Sequence, residues 1–509
     1  MVVTKEVLVN KQFILIMADT VRKDMLGCYG NAEMHTPNID KLCAQGIRYD
    51  NAYSCQPVCG PARSAIFTGV FPHSNGMVAN SLPLGDNVKT IGQRLSDNGI
   101  HCGYVGKWHL DGGDYFGNGR CPEGFDPEYW YDMKRYLEEL SDEDKQRSRQ
   151  SATSFDPDWT ADKTYAHRCT DRAIRFLENN KGTDFFLTIS YDEPHGPCIC
   201  PPPFNTMYEH TRMPESQNYA DDLRRKPFMQ QLWAGKDIDA EPESLRVEGG
   251  GLSLFLGCNS FMDYQVGRVM EVIDRDFPDA MVMFTSDHGD MLGNHRLQMK
   301  NAVMYKEIAN IPMIVRGGET GKTVTAPASH IDIVPTVMEF MGLPIPRLLE
   351  GKSMLKQFYD TRLPVNDYVH TEFTRYEVDH DGFGGLQMMR GITDGRFKLV
   401  LHLCDTDEFY DMESDPDEVV NLIDRSEYAA VRDKLHDALL SHMNDTRDVY
   451  RGYQWAVRPW RKDKVPAWEN DAFTRQRENE EYEPRQLDYD TGLPMEQAVR
   501  SKKLYDAKK

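Results

Sequence analysis

The chain has 509 residues, 40% of them hydrophobic and 27% charged, which is material for one large α/β unit with an appendage or for roughly two or three domains. Its formal net charge of −21 excludes a generic binder of nucleic acid or anionic membrane, because such a field repels both, while a local basic pocket stays compatible with it. The opening "MVVTKEVLVNKQFILIMADT" has no basic region followed by a long apolar run and a cleavage site, and no stretch approaches the roughly 18 apolar residues of a membrane span, so the chain reads as cytoplasmic.

In chain order, "QFILIMA" at 12–18 is a short apolar run ending at Asp19, as a buried parallel strand would be. "TPNIDKLCAQG" reads as a helix with Pro37 in its first turn, Ile39, Leu42 and Cys43 on one face, and Gly46 as its stop. Helices are expected from about Pro61 and around 90–98, then a strand at 101–106 running into "GKWH". An amphipathic helix around 162–180, the strand "DFFLTISY", a helix around 254–274 and the strand "AMVMFTS" follow, the last ending at Asp287. This alternation predicts a doubly wound, mostly parallel sheet flanked by helices, whose ligands bind beyond the strand C-termini. After about residue 365 the pattern changes. "MMRGITDGRFKLVLHL" has the Asp-Gly turn of a β-hairpin, and a helix around 427–445 closes a smaller antiparallel unit. The expected division is a catalytic α/β domain at 1–365, an α+β subdomain at 366–460 and an extended tail at 461–509.

Four polar clusters stand at the predicted strand ends: "MADT" with Asp19, "GKWH" with Lys107 and His109, "YDEPHGP" with His195, and "TSDHGD" with Asp287 and His288. Taken singly, such an Asp is often only a helix cap and such a His only a structural hydrogen-bonding group. Four clusters on one sheet edge point to a shared site. Asp19, Asp287 and His288 offer hard oxygen and borderline nitrogen donors, a set that suits Ca²⁺, Mg²⁺ or Mn²⁺. Around them lie Arg63, Lys107, His109, His195 and Lys300, so the pocket suits a tetrahedral oxyanion. "SCQPVCGPARSAIFTG" at 54–69 adds Cys59, for which a disulfide, a metal thiolate and a nucleophile are all open. The eleven cysteines are odd in number, irregular in spacing and without CxxC pairs, so they read as mostly buried reduced thiols, which weakens the disulfide. Gly60 allows a close backbone approach, and Pro61 at a helix start leaves first-turn amides for an anion.

"CGPAR" at 59–63 followed by "SAIFTG" resembles the signature of the type I, formylglycine-dependent sulfatases of the alkaline phosphatase superfamily. "TPNIDKLCAQGIRYDNAY", "GYVGKWHL", "TSDHGDMLGNHRLQMKN", "HIDIVPTVMEFMGL" and "EFYDMESDPDEVVNL" extend the resemblance from about residue 12 to 425, with a likeness to bacterial members without a signal peptide. The resemblance implies that a maturation system oxidises Cys59 to formylglycine, whose hydrated form attacks sulfur with one hydroxyl and expels sulfate with the other. It implies one divalent metal, Ca²⁺ ahead of Mg²⁺ or Mn²⁺, on Asp19, Asp287, His288 and the modified Cys59. It assigns Arg63 to the diol, Lys107 and Lys300 to the sulfate, His109 to a hydrogen bond with the diol and His195 to the acid for the leaving alcohol.

Thr20 departs from the pattern, since many sulfatases carry a second Asp there. Phosphonate monoester hydrolases and phosphodiesterases of the same superfamily are therefore the rival reading. A non-catalytic anion-binding relative with unmodified Cys59 is the third. "WHLDGGDYFGNG" and "TRYEVDHDGFGG" are expected at the pocket mouth, with Thr20, Tyr376, His380 and Arg390 as candidate substrate contacts. The expected substrate is a small sulfated mono- or disaccharide. Oligomeric state is open.

Overall fold

The computed structural model describes residues 10–211, 216–235, 251–378, 385–464 and 492. Thirteen strands run along them: β1 (Gln12–Ala18), β2 (Ile47–Tyr49), β3 (Ala52–Tyr53), β4 (His101–Gly106), β5 (Phe185–Tyr191), β6 (Met281–Ser286), β7 (Met313–Arg316), β8 (Lys322–Val324), β9 (Ala328–Ser329), β10 (Val369–Phe373), β11 (Met389–Thr393), β12 (Phe397–His402) and β13 (Glu408–Asp411). Seven of these form the main sheet in the order β4-β5-β1-β6-β7-β2-β8. β7 is antiparallel to β6 and β2, and every other neighbouring pair is parallel. The sheet is thus mostly parallel and crosses over in the doubly wound manner.

β1, β5 and β6 are buried along their whole length, which is why they read as continuous apolar runs. Their alternate residues feed two cores. Ile14, Ile16 and Ala18 pack with the helices Tyr165–Asn179 and Gly251–Asp276 on one face. Phe13, Leu15 and Met17 pack with the helices Cys59–Thr68 and Ile333–Met341 on the other. Each such side chain contributes about 1.5–3 kcal/mol on burial. β10-β11-β12-β13 form a wholly antiparallel sheet, and with the helix Ala429–Asp445 they share a third core around Leu399, Leu401, Leu435 and Trp455. The tail expected from 461 lies almost wholly outside the described residues.

Register sets the functional edge. Ala18 pairs with both Tyr191 and Ser286, and Gly106 pairs with Ser190, so Asp19, Lys107, Asp192 and Asp287 leave the sheet at one level. Gly106 has φ +113°, and a Cβ there would lie 1.9 Å from the Ser190 carbonyl oxygen, so this crossing takes only glycine. The helix expected from Pro61 begins two residues earlier, at Cys59.

Candidate active site

Asp19, Cys59, Asp287 and His288 each bring a donor atom to one point, all four within 4.8 Å of one another and all buried. Cys59 is delivered by the first turn of its helix, and its Sγ lies 3.0 Å from His288 Nε2. His288 Nε2 is 3.9 Å from Asp19 Oδ1 and 3.8 Å from Asp287 Oδ1, while His288 Nδ1 is 2.7 Å from the Gly289 carbonyl oxygen. That second contact directs Nε2 toward the centre. The donor set of two carboxylates, an imidazole and residue 59 fits a hard divalent cation.

Arg63, one turn along from Cys59, is fully buried and braces both carboxylates: Nε donates to Asp287 Oδ2 at 2.9 Å and Nη2 to Asp19 Oδ2 at 3.1 Å. Its Nη1 donates to the Lys107 carbonyl and to Ser190 Oγ. Lys107 Nζ bridges Asp19 Oδ2 at 2.8 Å and Asp192 Oδ1 at 3.1 Å. Asp192, which sequence reasoning passed over within "YDEPHGP", also accepts from the Tyr115 hydroxyl, and the Tyr115 ring stacks on His195 with centroids 5.1 Å apart.

The electrostatics follow from burial set against these charges. Burial pushes Asp19 up, yet Lys107 first, then Arg63 and Lys300, hold it well below the usual carboxylate range. Burial and the Asp19 charge raise Asp287. Burial opposes protonation of His288, but Asp287 and Cys59 raise it to about 9, which marks a negative field at the point where a cation would sit. Burial likewise opposes Lys300, whose pKa Cys59 and Asp19 nevertheless raise. Burial, Lys107 and Arg63 hold His109 well below its ordinary value, and burial, Lys107 and Lys300 do the same to His195. Both imidazoles are therefore neutral in the free enzyme.

Strain gathers here as well. Thr20 (φ +70°), His109 (φ +60°) and Met299 (φ +61°) adopt the left-handed region beside Asp19, Lys107 and Lys300. Thr20 spends its hydroxyl on Asp19 Oδ1 at 2.6 Å and its N–H on Asp287 Oδ1 at 3.2 Å, orienting two donors. The expected cradle of first-turn amides is not what forms. Gly60 N–H goes to Asn80 Oδ1, Pro61 has no N–H and Ala62 N–H closes onto Val58, so cationic side chains take that role. No sequence pattern marked Asn80. A Cβ at Gly60 would lie 2.7 Å from Met77 Cε, so what crowds this glycine is a side chain.

Tyr376 is half-buried within electrostatic reach of Lys300 and Cys59. Arg390 is elsewhere: it is buried, with Nε and Nη2 on Asp448 and Nη1 on the Phe373 and Met389 carbonyls, so it is not a pocket residue. His380 lies outside the described residues. All eleven cysteines are free thiols. Cys55 is buried against Ser329, and Cys198 and Cys200 are buried in the main core. No helix among the described residues is long and apolar enough to cross a membrane.

The chain is similar to known proteins along most of its length. The sulfatase family model matches residues 11–343, and the model of the N-sulphoglucosamine sulphohydrolase C-terminal region matches residues 293–445. The uncharacterized sulfatase YidJ of Escherichia coli K12 is 42% identical over 493 residues, covering 95% of this chain and 96% of its own. A structure solved in complex with its substrate D-glucosamine-2-N,6-O-disulfate superposes with TM-score 0.70 at 22% identity, covering 86% of this chain and 99% of that one. The phosphonate monoester hydrolase of Agrobacterium radiobacter gives TM-score 0.70 at 24% identity, covering 86% and 96%, so the fold alone does not separate the two chemistries. The family match over most of the chain and the YidJ identity show the family: this chain belongs to the sulfatase family.

Proposed function

We propose that the sulfate ester cleaved by this sulfatase is a monoester of a small sugar, and that cleavage runs through Cys59 matured to formylglycine beside a divalent cation. The observation that carries this reading is the convergence of three buried donors, Asp19, Asp287 and His288, and three cations, Arg63, Lys107 and Lys300, on the residue-59 side chain. Asp19, Asp287, His288 and residue 59 would hold the cation, with Ca²⁺ ahead of Mg²⁺ or Mn²⁺ for an oxygen-rich set. Once bound, it supplies charge stabilisation to the ester oxygens and acidifies the neighbouring hydroxyl.

The protein's own groups do the rest. Arg63 fixes both carboxylates and borders the diol, and Lys107 and Lys300 face the sulfate oxygens. One diol hydroxyl attacks sulfur as the sulfur–oxygen bond to the alcohol breaks. The second hydroxyl then loses its proton, the carbon–oxygen bond to sulfate cleaves, and the aldehyde returns for rehydration. His195 Nδ1 is held 2.8 Å from the Gly196 carbonyl, which leaves Nε2 to serve the leaving oxygen. That ring accepts its proton once the sulfate anion offsets Lys107 and Lys300, the two cations that keep it neutral. The structure bound to D-glucosamine-2-N,6-O-disulfate supports a sugar as the alcohol.

Thr20 supports the second reading, a phosphonate monoester hydrolase or phosphodiesterase, because a hydroxyl there leaves the centre one negative charge short of a paired-Asp site. The test is twofold. Mass spectrometry of the peptide carrying residue 59, from a host with maturation activity, should show formylglycine. The kcat/KM for sulfate should exceed that for phosphonate esters of one leaving group, and Thr20→Asp should widen the gap. Unmodified cysteine in an active enzyme overturns the aldehyde mechanism, and a phosphonate preference in the wild type selects the second reading.

A further inference from the structure

Beside His195 a narrow pocket opens between the β5 exit and the segment 148–165, with room for a pendant arm rather than for a ring. Three of its lining side chains carry buried polar atoms with no hydrogen-bond partner among the described residues: Trp159 Nε1, Tyr165 Oη and Glu193 Oε2. Buried polar atoms are rarely left unmatched, and three on one pocket require an occupant that matches them. The Glu193 Oε1 atom is anchored by the Ala166 N–H at 3.1 Å, which fixes the carboxyl in place. Burial and the Asp192 charge raise this carboxyl to about 8, so at neutral pH it is protonated and can donate. Trp159, Tyr165 and Glu193 together then present an array rich in donors, against walls formed by Tyr136, Met133 and Ile199.

The location narrows the ligand. His195 borders the pocket, and under the proposed function His195 serves the oxygen of the leaving alcohol; the inference rests on that reading. The Asp192 carboxylate, paired with Lys107, and the Arg149 guanidinium both border it, so the lining carries no unbalanced charge and suits an uncharged polar arm. A shallow groove sharing Arg149 continues outward past Phe116 and Lys145 and gives the remainder of the alcohol a place to lie. We propose that the pocket is a subsite for an uncharged hydroxyl or hydroxymethyl arm of the leaving sugar, bound by Glu193, Tyr165 and Trp159. It selects polyhydroxy alcohols over plain aryl or alkyl ones.

The test compares kcat/KM for glucose 3-sulfate and glucose 6-sulfate with that for 4-nitrophenyl sulfate, which has no hydroxyl arm. The ratio of the better hexose ester to the aryl ester should fall about tenfold in Tyr165→Phe and in Glu193→Ala, with the loss in KM. Glu193→Gln should recover part of it, because the amide still donates. Tyr165→Phe removes one hydroxyl and keeps the ring, so it keeps the test valid if Glu193→Ala folds poorly. A ratio that does not move in Tyr165→Phe means the pocket holds solvent only, and overturns the subsite. A wild type that turns over neither class of sulfate overturns the underlying function as well, and the two failures are thereby told apart.

Discussion

Cys59 is buried with Sγ 3.0 Å from His288 Nε2, and a serine, being smaller, fits the same position while lacking the second oxygen that a hydrated aldehyde provides. Cys59→Ser should therefore form a covalent sulfate ester once and stop, lowering multiple turnover by about a thousandfold or more. Intact mass after mixing with substrate should show the trapped adduct, and sustained turnover at the wild-type rate would refute the diol mechanism. Glu193 gives a residue-scale prediction of a different kind. Its folded pKa of about 8 lies above the ordinary glutamate value of 4.5, because of burial and then Asp192, so the folded state binds this proton more tightly than the unfolded chain does. The resulting stability is complete below about 4.5, is lost progressively as pH rises, and is gone above about 8. Glu193→Gln has no such titration. Its melting temperature should gain on the wild type between these limits and run parallel outside them. A constant difference across that window would remove the raised carboxyl from the account.

At the scale of elements, the joint between the two sheets depends on buried charges as well as on apolar packing. Arg390 on β11 donates to Asp448 at 2.6 and 3.1 Å and lies 3.9 Å from Glu372 on β10, which in turn pairs with His73. Arg390→Ala would leave the Asp448 carboxylate uncompensated, and chemical denaturation should show a loss of about 3–5 kcal/mol. A change below about 1 kcal/mol would mean that the joint does not depend on this pair. The same residue shows where sequence reading ends. A hairpin was legible in "ITDGRF", but not that β10 and β12 flank β11 on both sides, so an arginine read as a sugar contact is in fact a central-strand residue. β1, β5 and β6 were legible because buried parallel strands are near-continuous apolar runs closing on polar residues, and β4 because it runs into "GKWH". β2, β7 and β8 were not, since three or four residues carry no periodicity. The helix at Cys59 began before its proline because Pro61 falls within the first turn, where the missing N–H costs nothing. Asp192 and Asn80 act through partners distant in sequence, Lys107 and Gly60, and only the three-dimensional arrangement assigns them.

At the scale of the whole molecule, a chain of net charge −21 must attract an anion into its centre, and it does so with local charge that the global field does not cancel. Within the centre, Arg63, Lys107 and Lys300 face Asp19, Asp287 and Asp192, so these side chains alone come close to neutrality. A divalent cation makes the balance positive and able to hold one sulfate ester. The same ledger says what its removal does. Arg63 already bridges the Asp19 and Asp287 carboxylates, and these residues leave adjacent strands β1 and β6, so the sheet edge stays closed by ion pairs when the cation is stripped. Chelation should thus abolish hydrolysis while lowering the melting temperature by only a few degrees. Ca²⁺ at a hundredfold excess over its Kd should restore about 2.7 kcal/mol. Asp287→Asn, which weakens the donor set, should bind Ca²⁺ more weakly in calorimetry and lose most of that stabilisation. Outright unfolding on chelation would show that the cation, not Arg63, holds β1 and β6 together at this edge. Full activity after elemental analysis finds the metal gone would remove the cation from the reaction.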